Sequence, residues 1–176
     1  GAGSSTSPGG HGGGAVRIEA AGAVVVNGSI LANGQNGSGS SWRSGGGAGG
    51  SIYIQCQSFS APSTGAVLQV NGGDGTKGNT STYQTGGGGG GRIALIYSSR
   101  DATNGGGRFS ARMGMGAGGP AGMGTLFLSN TNLMTESLTV FDHVRLVIPN
   151  FSAWTTPRLS ISNSVVALGT EFLSLT

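Results

Sequence analysis

Few side chains in this sequence are suited to acid–base, nucleophilic or metal chemistry. The acidic residues and histidines are Glu19, Asp74, Asp101, Glu136, Asp142, Glu171, His11 and His143. Acid–base catalysis needs two groups that face one bond, but these acids fall at different positions of different repeats. Asp142 and His143 are adjacent, so on a strand their side chains would point to opposite faces. The sequence therefore predicts no catalytic residues and no enzymatic activity.

Metal and cofactor motifs are also weak. Cys56 is the single cysteine, so the chain has no internal disulfide or thiolate metal cluster, and its strand position predicts a small buried side chain. Asp74 lies in a GGDG segment, but calcium-binding glycine–aspartate repeats need an Asp about every nine residues, so a tight turn is favoured. The G-x-G-x-x-G matches neither open a helix nor precede G-K-[ST]. No metal and no cofactor are predicted.

The charge of the chain also excludes some partners. Nine basic and six acidic residues give a net charge of only +3, which is a weak field for attracting nucleic acid or an acidic membrane. Arg92 and Arg108 follow glycines, but each precedes an apolar strand, so a position at strand entry is favoured over RNA binding. The longest apolar stretch, residues 20–26, is too short to span a bilayer. We expect no nucleic-acid partner and no membrane insertion.

Two aromatic residues are candidates for glycan binding. Trp42 and Tyr83 each lie three residues before a block of glycines. They could stack on sugar rings, or they could cover a glycine backbone that has no side chains of its own. The sequence favours the second interpretation because both residues keep a fixed distance from the block they would cover.

Glycosylation sites are the other candidates on the surface. Four segments fit the Asn-x-Ser/Thr pattern, at Asn27, Asn36, Asn79 and Asn150. Asn79 is the most accessible candidate because it lies in a long polar loop. These asparagines are predicted acceptors if the chain is secreted by a eukaryotic cell.

One repeated unit must position all these residues. It consists of a small polar collar, a block of six mostly glycine residues and a short strand. The copies read SSTSP-GGHGGG-AVRIEA, SSWRS-GGGAGG-SIYIQC and STYQT-GGGGGG-RIALIY, with a degenerate fourth copy, GPAGMG-TLFLSN. A second segment follows each of the first three strands, as ILANGQNG, LQVNGGDG and FSARMGMG. Spacings of 36, 41 and 33 residues between blocks beginning at Gly9, Gly45, Gly86 and Gly119 are typical of stacked repeats.

Aligning the first strands produces two apolar columns. They contain Val16, Ile52, Ile93 and Leu126, and then Ile18, Ile54, Leu95 and Leu128. Because side chains alternate along a strand, both columns should face one interior. After residue 126 glycine becomes rarer, and an offset of 21 residues matches Val144 with Val165. No segment shows the apolar periodicity of a helix.

These patterns predict an all-β fold, a parallel β-helix or β-solenoid with ordered glycine-rich segments. Glycine is costly to order, so blocks of constant length indicate close backbone packing in polyproline-II geometry; flexible loops are the alternative. We expect glycine-rich repeats over residues 1–124 and a zone of β-coils over 125–176, continuous with the same stack.

The repeats carry a resemblance to known proteins. GGGAGGSIYI, ILANGQNG and GGGGGGRIALIY, within residues 4–119, resemble the glycine-rich repeats of large secreted or surface proteins from bacteria and protists. That resemblance implies a β-solenoid, filament or adhesin component and no catalytic residue. The bare glycine blocks are also similar to those in the extracellular domain of anaplastic lymphoma kinase-type receptors, where they form bundled polyglycine helices. This second resemblance implies only a backbone geometry for the glycine blocks and no function.

Assembly is the function that these expectations favour. The chain is expected to be part of a longer protein and to act outside the cell, as a glycoprotein subunit of a fibre or surface coat. It would associate with itself head to tail, with its last strand meeting the first repeat of the next subunit through Phe172, Leu173 and Leu175. The alternative is a carbohydrate-binding adhesin module that uses Trp42 and Tyr83.

Overall fold

Strands dominate the structure. The computed structural model describes residues 7–38, 44–62, 65–76, 85–100, 107–119, 121–135, 140–149, 153–154, 163–168 and 174–175. In this part of the chain the only helical segment is a 3₁₀ turn at Asn132–Thr135. The prediction of an all-β fold is therefore confirmed.

The strands form three parallel sheets. The largest has the order β1 (Ala15–Glu19), β4 (Ser51–Ser60), β6 (Arg92–Arg100), β8 (Gly124–Leu128), β10 (Val144–Ile148) and β12 (Val165–Leu168), and β2 (Ala23–Val25) pairs with the end of β4. The second contains β3 (Ser29–Leu31), β5 (Val67–Gln69), β7 (Arg108–Ser110) and β9 (Val140–Asp142), and the third pairs β11 (Ala153–Trp154) with β13 (Ser174–Leu175). Parallel pairing follows because a long connection returns the chain to the same end before each new strand.

The two predicted apolar columns are confirmed by the register of the large sheet. Val16 pairs with Ile52, Ile52 with Ile93 and Ile93 with Leu126, and the second column follows two residues later. From the second repeat onward these side chains are at most 1% exposed. The second sheet adds Phe109 to the same core cluster. Equivalent apolar residues of successive repeats therefore stack on one another in one interior.

Cys56 belongs to this interior as a small apolar side chain, as the sequence predicts. It is 7% exposed and pairs with Tyr97 of β6 in the register of the sheet. Burial raises the pKa of the Cys56 thiol. Since the thiolate is the reactive form, both burial and the raised pKa make this cysteine inert.

We expect Cys56 to react slowly with iodoacetamide while the protein is folded and readily once guanidinium chloride has unfolded it. Mass spectrometry of the labelled protein over time measures both rates. The unfolded chain is its own control because it contains no other cysteine. Equal rates in the two states would contradict the buried position of the side chain.

The register of the last strands differs from the prediction. Arg145 pairs with Val165 and Leu146 with Val166, so the offset is 20 residues and the predicted 21 is wrong. A shift of one residue exchanges the two faces of a strand, and here it turns Val166 toward the core while Val165 is 50% exposed. The same 20-residue spacing relates His143 and Asn163, which both have left-handed backbones with φ of 51° and 48°.

The glycine segments form two rows beside the sheets. We call residues 9–14, 45–50, 86–91 and 121–124 the first glycine row, and residues 32–37, 70–75 and 111–116 the second. Backbone hydrogen bonds join neighbours within a row, such as Gly10 N to Gly45 O at 2.9 Å, and they join the rows, such as Gly73 N to Gly47 O at 2.8 Å. Regular lateral bonding is what the ordered interpretation of the blocks requires.

Close approach explains why these segments need glycine. A Cβ atom on Gly88 would lie 1.9 Å from Gly47 O, and one on Gly91 would lie 2.0 Å from Gly50 O. On Gly89, between them, the nearest atom would be 3.7 Å away. Gly87 and Gly90 are blocked as well, by Gly114 O and Ala111 O, so a position with room for a side chain recurs only at every third residue, at Gly86 and Gly89.

Candidate functional site

The first layer of the stack presents an open edge. We define the first-layer edge as the outer side of strands β1, β2 and β3, within residues 15–31. Among the described residues, β1 and β2 pair with β4 alone, and β3 pairs with β5 alone. The outward N–H and C=O groups of these strands are a template for a further strand.

Burial of side chains is incomplete at this edge. Val16 and Ile18 are half-buried, whereas their partners Ile52 and Ile54 are 1% and 0% exposed. The repeat places equivalent residues in every layer, but the first layer is covered from one side. A further element along this edge would remove apolar surface from water, which is favourable.

The edge carries little that would discourage association. Its charged side chains are Arg17 and Glu19, which pair with each other at 2.6 Å, while the Arg17 guanidinium lies 5.4 Å from the centroid of the Tyr53 ring. Their charges therefore offset each other on one face of the sheet, where both side chains are exposed. Natural edge strands are commonly protected by charges or proline, and the sequences AVRIE, AVV and SIL contain no proline.

The glycine rows, in contrast, are closed at this edge. The Cβ positions of Gly47 and Gly73 point toward the preceding layer. A Cβ on Gly47 would lie 1.9 Å from His11 O, and one on Gly73 would lie 2.0 Å from Gln35 O. The equivalent residues of the first layer are His11 and Gln35 themselves. Their side chains leave no room for another glycine segment at the same spacing, so the edge has space for a strand but not for a complete layer.

Of the residues predicted to mediate assembly, Leu175 lies in a described strand. It pairs with Trp154 in the sheet of β11 and β13. Phe172 and Leu173 lie outside the described residues. Their role at the contact between subunits remains a prediction.

The predicted glycan-stacking residues, Trp42 and Tyr83, also lie outside the described residues. The structure does describe the last residue of each polar segment that contains them, Ser44 and Thr85. Ser44 and Thr85 are 0% and 4% exposed, and their hydroxyls donate to the backbone carbonyls of Pro8 and Thr76. Because both residues are buried and their hydroxyls are bonded to backbone carbonyls, they are not accessible to a sugar.

The predicted glycosylation sites are partly visible. Asn27 and Asn36 are both exposed, and Asn79 and Asn150 lie outside the described residues. Asn36 also accepts a hydrogen bond on its side-chain oxygen from Asp74 N at 2.7 Å, and Asp74 Oδ1 accepts one from Met115 N at 2.7 Å. Asp74 therefore belongs to an extended, laterally bonded segment, and the predicted tight turn is wrong.

A ladder of asparagines links the layers of the second glycine row. Asn33 Oδ1 accepts from Asn71 N at 2.8 Å, and Asn71 Oδ1 accepts from Arg112 N at 2.8 Å. Each side chain satisfies the backbone of the equivalent residue in the next layer. The sequence signal was the recurrence of Asn in ANGQNG and VNGGDG, which the sequence analysis used for alignment without assigning it a role.

Asp142 and His143 are in contact, although adjacent positions on a strand would place their side chains on opposite faces. The His143 Nδ1 atom lies 2.6 Å from Asp142 Oδ1, and Arg108 donates to Asp142 Oδ2 at 3.0 Å. Strand β9 ends at Asp142, and the left-handed backbone of His143 breaks the alternation that would have separated the two side chains. The prediction of opposite faces is therefore wrong.

The groups around Asp142 favour the ionised form of its carboxyl group. Burial opposes ionisation, but hydrogen bonds from His143 and Arg108, together with their charges, outweigh it and lower the pKa of the Asp142 carboxyl below its ordinary value. Both oxygens are engaged, so this carboxylate orients His143. Asp101, Glu136 and Glu171 lie outside the described residues, and the expectation that the chain is not an enzyme stays a prediction.

Neither a membrane-spanning helix within the described residues nor a similarity to known proteins accompanies these sites. In the described parts of the chain, no helix is long and apolar enough to cross a membrane. The chain matches no protein-family model, and no curated protein or solved structure is significantly similar to it.

Proposed function

We propose that the chain is a structural subunit of an extracellular fibre or surface coat that assembles head to tail through its first-layer edge. The observation that carries this proposal is the incomplete burial of Val16 and Ile18 beside outward-facing backbone groups, at positions that are fully buried in the next layer. Exposed Asn27 and Asn36 support an extracellular setting, in which they would carry glycans.

The architecture behind this function is a β-solenoid. Each repeat supplies strands to two parallel sheets and segments to two glycine rows, so one repeat corresponds to one coil. Open positions that recur at every third residue, Gly86 and Gly89, support polyproline-II geometry in the rows, since that helix has about three residues per turn. In such a stack each coil is stabilised by its neighbours.

The proposed contact adds a strand. The C-terminal segment of one subunit, residues 172–175, would bond to the first-layer edge of the next and cover Val16 and Ile18, using the side of β13 that does not pair with β11. Strand addition fits an edge at which His11 and Gln35 block the glycine rows. The two surfaces differ, so the contact propagates into a filament instead of closing into a dimer.

Charged substitutions at the edge should prevent assembly. Val25 and Leu31 are 54% and 56% exposed, so V25K/L31K should leave the subunit folded while lysines oppose strand addition. We expect filaments of the unaltered chain in electron micrographs and short species of the double variant in sedimentation. Removal of residues 171–176 should have the same effect.

The matched control is Q57K, which adds a lysine at an exposed position of the inner strand β4 and should still form filaments. If the unaltered chain stays monomeric at high concentration, the assembly proposal is wrong. Retention of that monomer on a glycan column would then favour the adhesin alternative through Trp42 and Tyr83.

A further inference from the structure

An open groove of about 370 Å³ lies beside the bend that joins β9 to β10. Its lining residues come from both glycine rows, from the bend itself and from the start of β12, and they are Met113, Met123, His143, Asn163, Ser164 and Val165. This groove is at the opposite end of the stack from the first-layer edge, and its chemistry does not depend on assembly.

The imidazole of His143 is oriented in this groove. Its Nδ1 atom lies 2.6 Å from Asp142 Oδ1, and Asp142 is held in turn by Arg108. A carboxylate accepts hydrogen bonds, so in the neutral ring Nδ1 carries the proton and Nε2 keeps its lone pair. Metal-binding histidines are commonly oriented by a carboxylate in this way.

Two thioethers share the groove with this histidine. The chain has four methionines; Met134 is buried in the core and Met115 is 46% exposed outside the groove lining, whereas Met113 and Met123 line it. Thioether sulfur is soft and polarisable. It favours soft cations such as Cu(I), whereas carboxylate and carbonyl oxygens favour calcium or magnesium.

The usual ligands of harder metal ions are not clustered around this groove in the part of the chain that the structure describes. In the described residues no three His, Cys, Asp or Glu side chains lie close enough together to hold a metal ion. Any ion in this groove would therefore depend on the methionine sulfurs.

We propose that the groove binds a soft monovalent metal cation, Cu(I) or Ag(I), through the sulfurs of Met113 and Met123 and the Nε2 atom of His143. Asp142 acts as a positioning residue because it fixes the tautomer and the ring through Nδ1. The ion enters and leaves as the monovalent cation, so binding involves no change of oxidation state.

Competition titration of the full chain tests this proposal. Cu(I) is added without oxygen in the presence of a chromophoric Cu(I) chelator, and Ag(I) serves as a probe that does not change oxidation state. We expect one equivalent to bind, with NMR shifts at the methyl groups of Met113 and Met123 and at the ring of His143. M113L, M123L and H143N should each weaken binding by about tenfold or more.

The variants are chosen to keep the fold. Leucine matches methionine in volume and shape, and asparagine tolerates the left-handed backbone at position 143. M115L is the matched control, because it removes an exposed thioether from the same segment, and it should bind as the unaltered chain does. Circular dichroism shows whether each variant is folded.

Three results would overturn the proposal. They are the absence of binding to the folded chain, unchanged affinity in M113L, M123L and H143N, and an equal loss in M115L. None of these results bears on filament formation, which V25K/L31K tests separately.

Discussion

Replacement of Gly88 by alanine should unfold the stack, whereas the same replacement at Gly89 should leave it folded. The added Cβ at position 88 would lie 1.9 Å from Gly47 O and 2.4 Å from the carbonyl carbon of Gly47. The hydrogen bond from Gly88 N to Gly73 O, 2.8 Å long, would be lost as the segments separate. We expect a loss of about 4 kcal/mol or more in the free energy of unfolding, within the range of the most damaging substitutions.

Gly89 is the matched control for this substitution. It lies in the same block, and its Cβ would lie 3.7 Å from Gly122 O. Alanine restricts the unfolded chain, so G89A should stabilise the protein by about 0.4–1 kcal/mol. Urea denaturation followed by circular dichroism measures both variants. Equal midpoints for G88A and G89A would contradict the packing of the glycine rows.

Aspartate at position 54 should have an effect of similar size through the core. Ile54 is 0% exposed and lies between Ile18 and Leu95 in the second apolar column. A carboxylate there has no partner, and burying it unpaired is prohibitively costly. We expect I54D to be unfolded at neutral pH, and I54A, which leaves a cavity, to lose about 2–5 kcal/mol.

The control for I54D is Q57D, at an exposed position of the same strand. It should change the free energy of unfolding by no more than about 0.5 kcal/mol. I54A keeps the test quantitative where I54D is too unstable to purify. Cooperative folding of I54D at neutral pH would show that the column does not form the interior.

The apolar columns were predictable from the sequence because their residues lie at the same distance after each glycine block. The register between the last two strands of the large sheet, β10 and β12, was not predictable in this way. The segment VVAL of β12 has apolar residues on both faces, so alternation does not distinguish an offset of 20 from one of 21. The left-handed residues His143 and Asn163 keep the observed spacing of 20, and although His and Asn adopt that conformation more readily than most residues, their types alone do not require it.

The candidate sites show the same limit. Alignment of the repeats located the first strand and hence the open edge, but nothing in the spacing of Met113, Met123 and His143 indicated a common groove. That groove depends on which segments the two glycine rows and the last bend bring together. Contacts between consecutive layers follow from the repeat, whereas contacts at its irregular end do not.

The closed glycine rows at the first-layer edge have a mechanical consequence for a fibre. Within a subunit, load along the axis is shared by the sheets and by the rows of glycine backbone. In the proposed fibre, His11 and Gln35 would stop the rows, so a junction between subunits would transmit load through strand hydrogen bonds alone. Such a fibre would be stiff within each subunit and compliant at every junction, so it would bend and break at regular intervals set by the length of one subunit.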